Sequence, residues 1–177
     1  MKKIILAIGI LAAVVFGAFY FHTKSPVVVA PIVSDGYKNA TYSIDGRNVT
    51  LVDGHTEEEI APGSASKNIT QYFGNEVRGD LNGDGKEDVA FLLTEDGGGS
   101  GTFYYAVVAF SVSDGTYAGS NAVFLGDRIA PQTTEIKNGE LVVNYAVRAS
   151  TDPMTVQPSL GVSKYLKVVN GELVEQK

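Results

Sequence analysis

The chain has 177 residues, which fits one folded domain with enough length to bury a core without cross-links. It has no cysteine, which excludes disulfides, thiolate metal sites, a cysteine nucleophile and a lipid-modified N-terminal cysteine. Residues 1–24 hold three lysines and no acid, so residues 25–177 carry 11 of the 14 basic residues, all 20 acidic ones and a net charge of −9; such a surface repels phosphate backbones and argues against nucleic-acid binding.

The chain opens on Met1-Lys2-Lys3, and Ile4–Phe21 then runs eighteen residues without a charge. A run of this length is a candidate membrane helix and is longer than an ordinary signal-peptide core. It ends in the bulky Phe19-Tyr20-Phe21-His22, and its best small pair, Gly17-Ala18, lies inside the run. Residues 1–22 are therefore predicted to be an uncleaved signal anchor, with cleavage near Ala18 as the alternative. Lys2 and Lys3 before the span, against Lys24 after it, keep the N-terminus inside. The expected product is a single-pass protein of the cell membrane whose C-terminal domain is periplasmic or extracellular. Residues 23–36 contain Pro26 and Pro31, which disfavour helix, and read as an extended tether. Val27–Ala30 could instead add an edge strand.

Residues 37–177 are predicted to form the folded domain. Its sequence is punctuated by Asp45-Gly46, Asp53-Gly54, Asp84-Gly85, Asp114-Gly115, Asn138-Gly139 and Asn170-Gly171, with Asp35-Gly36 just ahead of it. Short β-branched and aromatic runs lie between these turn dipeptides. Ala40–Ile44 with Asn48–Val52, Thr133–Lys137 with Glu140–Val147, and Lys164–Val169 with Glu172–Glu175 read as hairpins. Val89–Thr94 and Thr102–Val112 flank a glycine-rich turn and are almost continuously apolar, which predicts central strands covered on both faces. The best helix candidate, Thr56–Ile60 with its acidic Glu57-Glu58-Glu59, is stopped by Pro62-Gly63. The expected fold is mainly β: a single antiparallel domain, sandwich-like or built on a coiled sheet, after the N-terminal transmembrane helix.

Asp80-Leu81-Asn82-Gly83-Asp84-Gly85-Lys86-Glu87-Asp88 sets oxygen side chains at loop positions 1, 3, 5 and 9, with glycine at 6. This is the front half of an EF-hand loop, where several carboxylates turn inward to supply the oxygens that Ca²⁺ requires. Lys86 would contribute its carbonyl. The loop departs from an EF-hand beyond that point: position 12 is Phe91, and Val89–Leu93 reads as a strand in place of the second helix. The alternative reading is an Asx/Gly-rich turn that binds nothing. Gly79–Ala90 resembles the calcium loops of FG-GAP and integrin-type repeats, which lie between β-strands. That resemblance implies a Ca²⁺ site at Asp80, Asn82, Asp84, Lys86 and Asp88; a structural staple is expected ahead of a catalytic or regulatory ion.

The stretch from Ala40 to Glu175 also resembles a domain of uncharacterised exported bacterial proteins, many of them lipoproteins. The matching pieces are Ala40-Thr41-Tyr42, Val49–Gly54, Gly79–Ala90, Gly98–Phe103, Leu125–Arg128, and Asp152-Pro153-Met154 with Pro158. The resemblance implies an extracytoplasmic location and little about activity. The absence of a lipobox cysteine leaves anchoring to the apolar segment.

Other signals are weaker. Asp96–Thr102 is glycine-rich but lacks the lysine of a P-loop. Asp127-Arg128 can fix a loop locally or clamp an anion, and Tyr104, with Tyr105, can offer a stacking surface or simply alternate between core and surface. His22 and His55 are the only histidines, and they support no Ser-His-Asp set. Asn39, Asn48 and Asn68 begin glycosylation-type triplets, to which the resemblance to bacterial proteins gives little meaning. Three functions compete: a noncatalytic envelope module binding a protein or glycan, with Asp127, Arg128 and Tyr104 as candidate ligand contacts; an envelope hydrolase; and a structural part of an envelope assembly.

Overall fold

Antiparallel pairing of neighbours in sequence builds this molecule, and the turn dipeptides direct it. The computed structural model describes residues 35–176. Asp45-Gly46 joins β1 (Thr41–Ile44) to β2 (Arg47–Thr50), Asn138-Gly139 joins β9 (Ala130–Lys137) to β10 (Glu140–Val147), and Asn170-Gly171 joins β11 (Leu160–Val169) to β12 (Glu172–Glu175). In all three turns both central residues have positive φ, between 49° and 82°. That conformation matches the right-handed twist of the flanking strands, and Asn, Asp and Gly reach it at least cost.

The remaining strands are β3 (His55–Glu59), β4 (Lys67–Gly79), β5 (Asp88–Asp96), β6 (Phe103–Ser113), β7 (Thr116–Gly119) and β8 (Val123–Asp127). They form one sheet in the order β3-β4-β5-β6-β7, with β8 pairing the first part of β6. A second sheet has the order β12-β11-β10-β9, and β1-β2 stands as a separate hairpin. The described residues are thus mainly strand, antiparallel throughout the named pairings, with a single 3-10 turn at Gly36–Asn39. The expected anchor at residues 1–22 and nearly all of the tether lie outside the described residues. No described helix is long and apolar enough to cross a membrane.

The apolar runs of β5 and β6 are covered on both faces. On one face Val89, Phe91, Leu93, Tyr105, Val107 and Ala109 meet the β1-β2 hairpin and the 3-10 turn through Tyr37, Tyr42, Ile44, Val49 and Leu51. On the other, Ala90, Leu92, Ala106 and Val108 meet the second sheet through Leu141, Val143, Tyr145, Leu166 and Leu173. Successive strand residues point to opposite faces, so a strand between two layers must be apolar at nearly every position. Complete burial stabilises such a side chain by roughly 1.5–3 kcal/mol. Phe91 is the centre of the first layer, with ring centroids 5.6 Å from Tyr37, 5.6 Å from Tyr42 and 5.3 Å from Tyr72.

Two segments depart from the sequence reading. Thr56–Glu59 is not helical but forms most of β3, an edge strand. Its carboxylates find partners across strands, with Glu57 2.7 Å from Lys67 and Glu58 3.4 Å from Arg47. Charge on an edge strand also discourages pairing with another chain. β4 is announced by no apolar run. Its thirteen residues carry two register shifts, between Tyr72 and Gly74 and between Gly74 and Val77, with Gly74 and Asn75 both at positive φ. The bulged strand delivers Gly79 against Ile136 of the second sheet, where an added Cβ would lie 2.8 Å from Ile136 Cδ1. The chain enters the candidate calcium loop directly after this close approach.

Candidate functional site

The loop of residues 80–87 connects β4 to β5, two antiparallel neighbours whose last pair is Gly79 with Asp88. Leu81 is buried in the aliphatic layer and ties the loop to the core. Gly83 and Gly85 turn the chain at φ +82° and +81°, where a side chain would be strained. Asp80 Oδ1 accepts the amide of Gly83 at 2.7 Å, and its Oδ2 accepts that of Gly85 at 2.9 Å. Asn82 Oδ1 accepts from Asp84 N and Asp84 Oδ1 from Lys86 N, each at 2.9 Å. The repeated polar side chains thus fold the loop before any ion is considered.

Asp88 stands apart from the other acids. It is fully buried, and its two oxygens each accept a backbone amide at 3.0 Å, from Leu81 and from Ser111 of β6. It bolts the start of the loop and the end of β6 to the first residue of β5. The Lys86 ammonium donates to the Val112 carbonyl at 3.0 Å and lies 3.8 Å from Asp84 Oδ2. Glu87 is drawn off towards Arg78, at 3.9 Å.

The donors fit Ca²⁺ in kind, being hard oxygens on a tight loop. Each carboxylate oxygen has two acceptor positions, and a single amide leaves one of them. In this geometry the side chains serve the loop's own amides, and among the described residues no three His, Cys, Asp or Glu side chains stand close enough together to hold a metal. An incoming ion must gather the carboxylates and outcompete the Lys86 ammonium beside Asp84.

The remaining candidates fall at the opposite end of β5. Asp127 and Arg128 form a local lock: Arg128 Nε lies 3.0 and 3.1 Å from the two Asp127 oxygens, and its second guanidinium nitrogen is 2.6 Å from Oδ2. Asp127 Oδ1 also accepts the Thr102 amide at 3.0 Å, while the Arg128 amide donates to the Thr102 carbonyl at 2.7 Å. Hydrogen bonding to Arg128 holds the Asp127 carboxyl below its ordinary range, and Thr102 adds to this. The pair pins the turn between β8 and β9 to the segment leading into β6. Tyr104 packs its ring edge-on to Phe73 at 5.2 Å on the aliphatic side of β6. His55 is exposed, 3.5 Å from Glu57.

The sequence reading missed an open cleft of about 390 Å³ beside this lock, lined by Asp45, Phe103, Tyr105 and Phe124. The Phe124 centroid lies 5.5 Å from that of Tyr105 and 6.3 Å from that of Phe103. The Tyr105 hydroxyl donates to Asp45 Oδ2 at 2.9 Å. Near it, Arg47 reaches Glu95 at 2.6 Å and Glu58 at 3.4 Å. The available signal was the alternation of β6: Phe103 and Tyr105 share a face that Tyr104 does not. What brings Asp45 and Phe124 to that face is tertiary.

No protein-family model, curated protein or solved structure matches the chain.

Proposed function

We propose that the chain is a membrane-anchored, extracytoplasmic, noncatalytic module that binds Ca²⁺ at Asp80–Asp88. The single observation that supports the ion is the loop itself. Asp80, Asn82 and Asp84 stand at alternate positions of a glycine-turned connection between antiparallel β4 and β5, as in the FG-GAP-type loops that the sequence resembles. Asp80, Asn82 and Asp84 supply side-chain oxygens, Lys86 its carbonyl, and Asp88 closes the set from its buried seat at the head of β5. The ion's work is structural: it relieves the repulsion among carboxylates held on one short loop. The anchor rests on the uncharged run Ile4–Phe21 behind two lysines. Through that anchor the domain meets envelope partners, a protein or a glycan.

Calorimetric titration of the full chain with CaCl₂ tests the ion directly. Saturable one-site binding is expected, weakened at least tenfold in Asp84→Ala and little changed in Asp127→Ala. No binding at millimolar Ca²⁺ would reduce the loop to a turn. Protease added outside intact cells tests the location, and a domain that stays protected would contradict it.

A further inference from the structure

We propose that the cleft lined by Asp45, Phe103, Tyr105 and Phe124 binds an alkylammonium group, either a free amine or a lysine side chain presented by a partner. The chemistry is independent of the calcium reading. Phe103 and Phe124 are 36% and 47% exposed, so two phenyl rings stand open to solvent in contact with a third aromatic ring. The cleft, about 390 Å³, is within the range of small-molecule sites.

Its polar chemistry is one-sided. The only hydrogen-bond donor among the four lining side chains is the Tyr105 hydroxyl, and its proton goes to Asp45 Oδ2. Asp45 Oδ1 carries no hydrogen bond among the described residues. The cleft therefore presents acceptors and aromatic surface, and no free side-chain donor. A sugar hydroxyl network calls for donors as well as acceptors. An ammonium only donates, carries the charge that Asp45 complements, and is attracted to aromatic faces.

The surrounding charges point the same way. Arg47, on the strand that Asp45 leads into, is engaged by both Glu95 and Glu58. One guanidinium thus stands among three carboxylates, counting Asp45. Arg128 is neutralised by Asp127, and Lys164, which reaches the Phe124 carbonyl at 3.1 Å, is paired with Glu175 at 3.0 Å. Among these groups the carboxylates outnumber the cations.

The test titrates the full chain with cadaverine, with choline, with a lysine-containing peptide and with N-acetylglucosamine, read by calorimetry and by backbone amide shifts. The cations are expected to move the amides of Asp45, Phe103, Tyr105 and Phe124 and to bind in the millimolar range or tighter. Cadaverine above choline would mark donation to Asp45, and the peptide above cadaverine would mark a protein source for the amine. Asp45→Asn keeps the turn, since Asn-Gly suits the positive φ found here, and removes only the charge. It is expected to weaken cation binding by about tenfold, about 1.4 kcal/mol. Phe124→Ala is expected to weaken it as well. No cation-dependent shift in these amides, equal binding by Asp45→Asn, or binding of N-acetylglucosamine in place of the cations would overturn the proposal.

Discussion

The two ends of β5 organise carboxylates in different ways. At Asp88 the end is closed by backbone: the buried carboxylate accepts two amides, and the loop acids before it accept amides of their own loop. At Glu95 the end is closed by side chains: Arg47 bridges Glu95 and Glu58, Arg128 holds Asp127, and three aromatic rings leave a cleft. An acid held only by neutral amides keeps its charge uncompensated. An acid held by arginine is already neutralised. At the loop end Lys86 stands 3.8 Å from Asp84, and at the far end Asp45 meets an uncharged hydroxyl and Asp96 the Gly98 amide.

Substitutions at each end sharpen that contrast. Asp88→Ala leaves one buried and one partly buried amide without acceptors, and a buried one costs about 1–3 kcal/mol. It is expected to lower stability by about 3 kcal/mol, read as a reduced urea midpoint. An effect below about 1 kcal/mol would show that water reaches those amides. Glu95→Ala removes a charge-assisted hydrogen bond from Arg47 at a mostly buried site, and a loss of about 1.5–2 kcal/mol is expected. Glu95→Ala and Asp88→Ala lie at opposite ends of one strand, so their effects are expected to add in the double variant.

Asp127 gives the smallest effect and a pH signature. Arg128 depresses its folded-state pKa, so its stabilising contribution is present above the unfolded value and is lost as pH falls through the lowered folded value. Because the pair is partly exposed, the contribution is about 0.2–1 kcal/mol. Asp127→Asn is expected to narrow the stability gap to wild type in acid and to keep it at neutral pH, in denaturation curves run across that range. A gap that stays constant with pH would place the effect in the Thr102 hydrogen bond instead of the charge.

Much of this architecture was legible in the sequence. Asp45-Gly46, Asn138-Gly139 and Asn170-Gly171 admit few conformations, so they located three hairpins. The unbroken apolar runs of β5 and β6 required a layer on each face, and both layers are present. β4 was illegible because its Gly74-Asn75 bulge breaks the alternation and because polar residues serve its exposed positions. The acidic run in β3 resembled a helix start because its partners, Lys67 and Arg47, lie on other strands. The loop was legible as a turn between strands because its Asp/Gly pattern is local. The burial of Asp88 was not, because Ser111 comes from the far end of β6. The cleft was hidden for the same reason: Asp45, Phe103, Tyr105 and Phe124 are assembled from two strands and a turn.

The central claim is that the loop end of β5 holds an ion. The most direct measurement is the melting temperature of the full chain in excess EDTA and then in excess Ca²⁺, with Mg²⁺ as control. A ligand that binds only the folded state at a hundredfold excess over Kd stabilises it by about 2.7 kcal/mol. The account therefore expects melting to rise by several degrees with Ca²⁺, to fall back on chelation, and to be insensitive to Ca²⁺ in Asp84→Ala. A melting temperature that is the same in EDTA and Ca²⁺ would contradict it and leave Asp80–Asp88 a connection closed by its own amides.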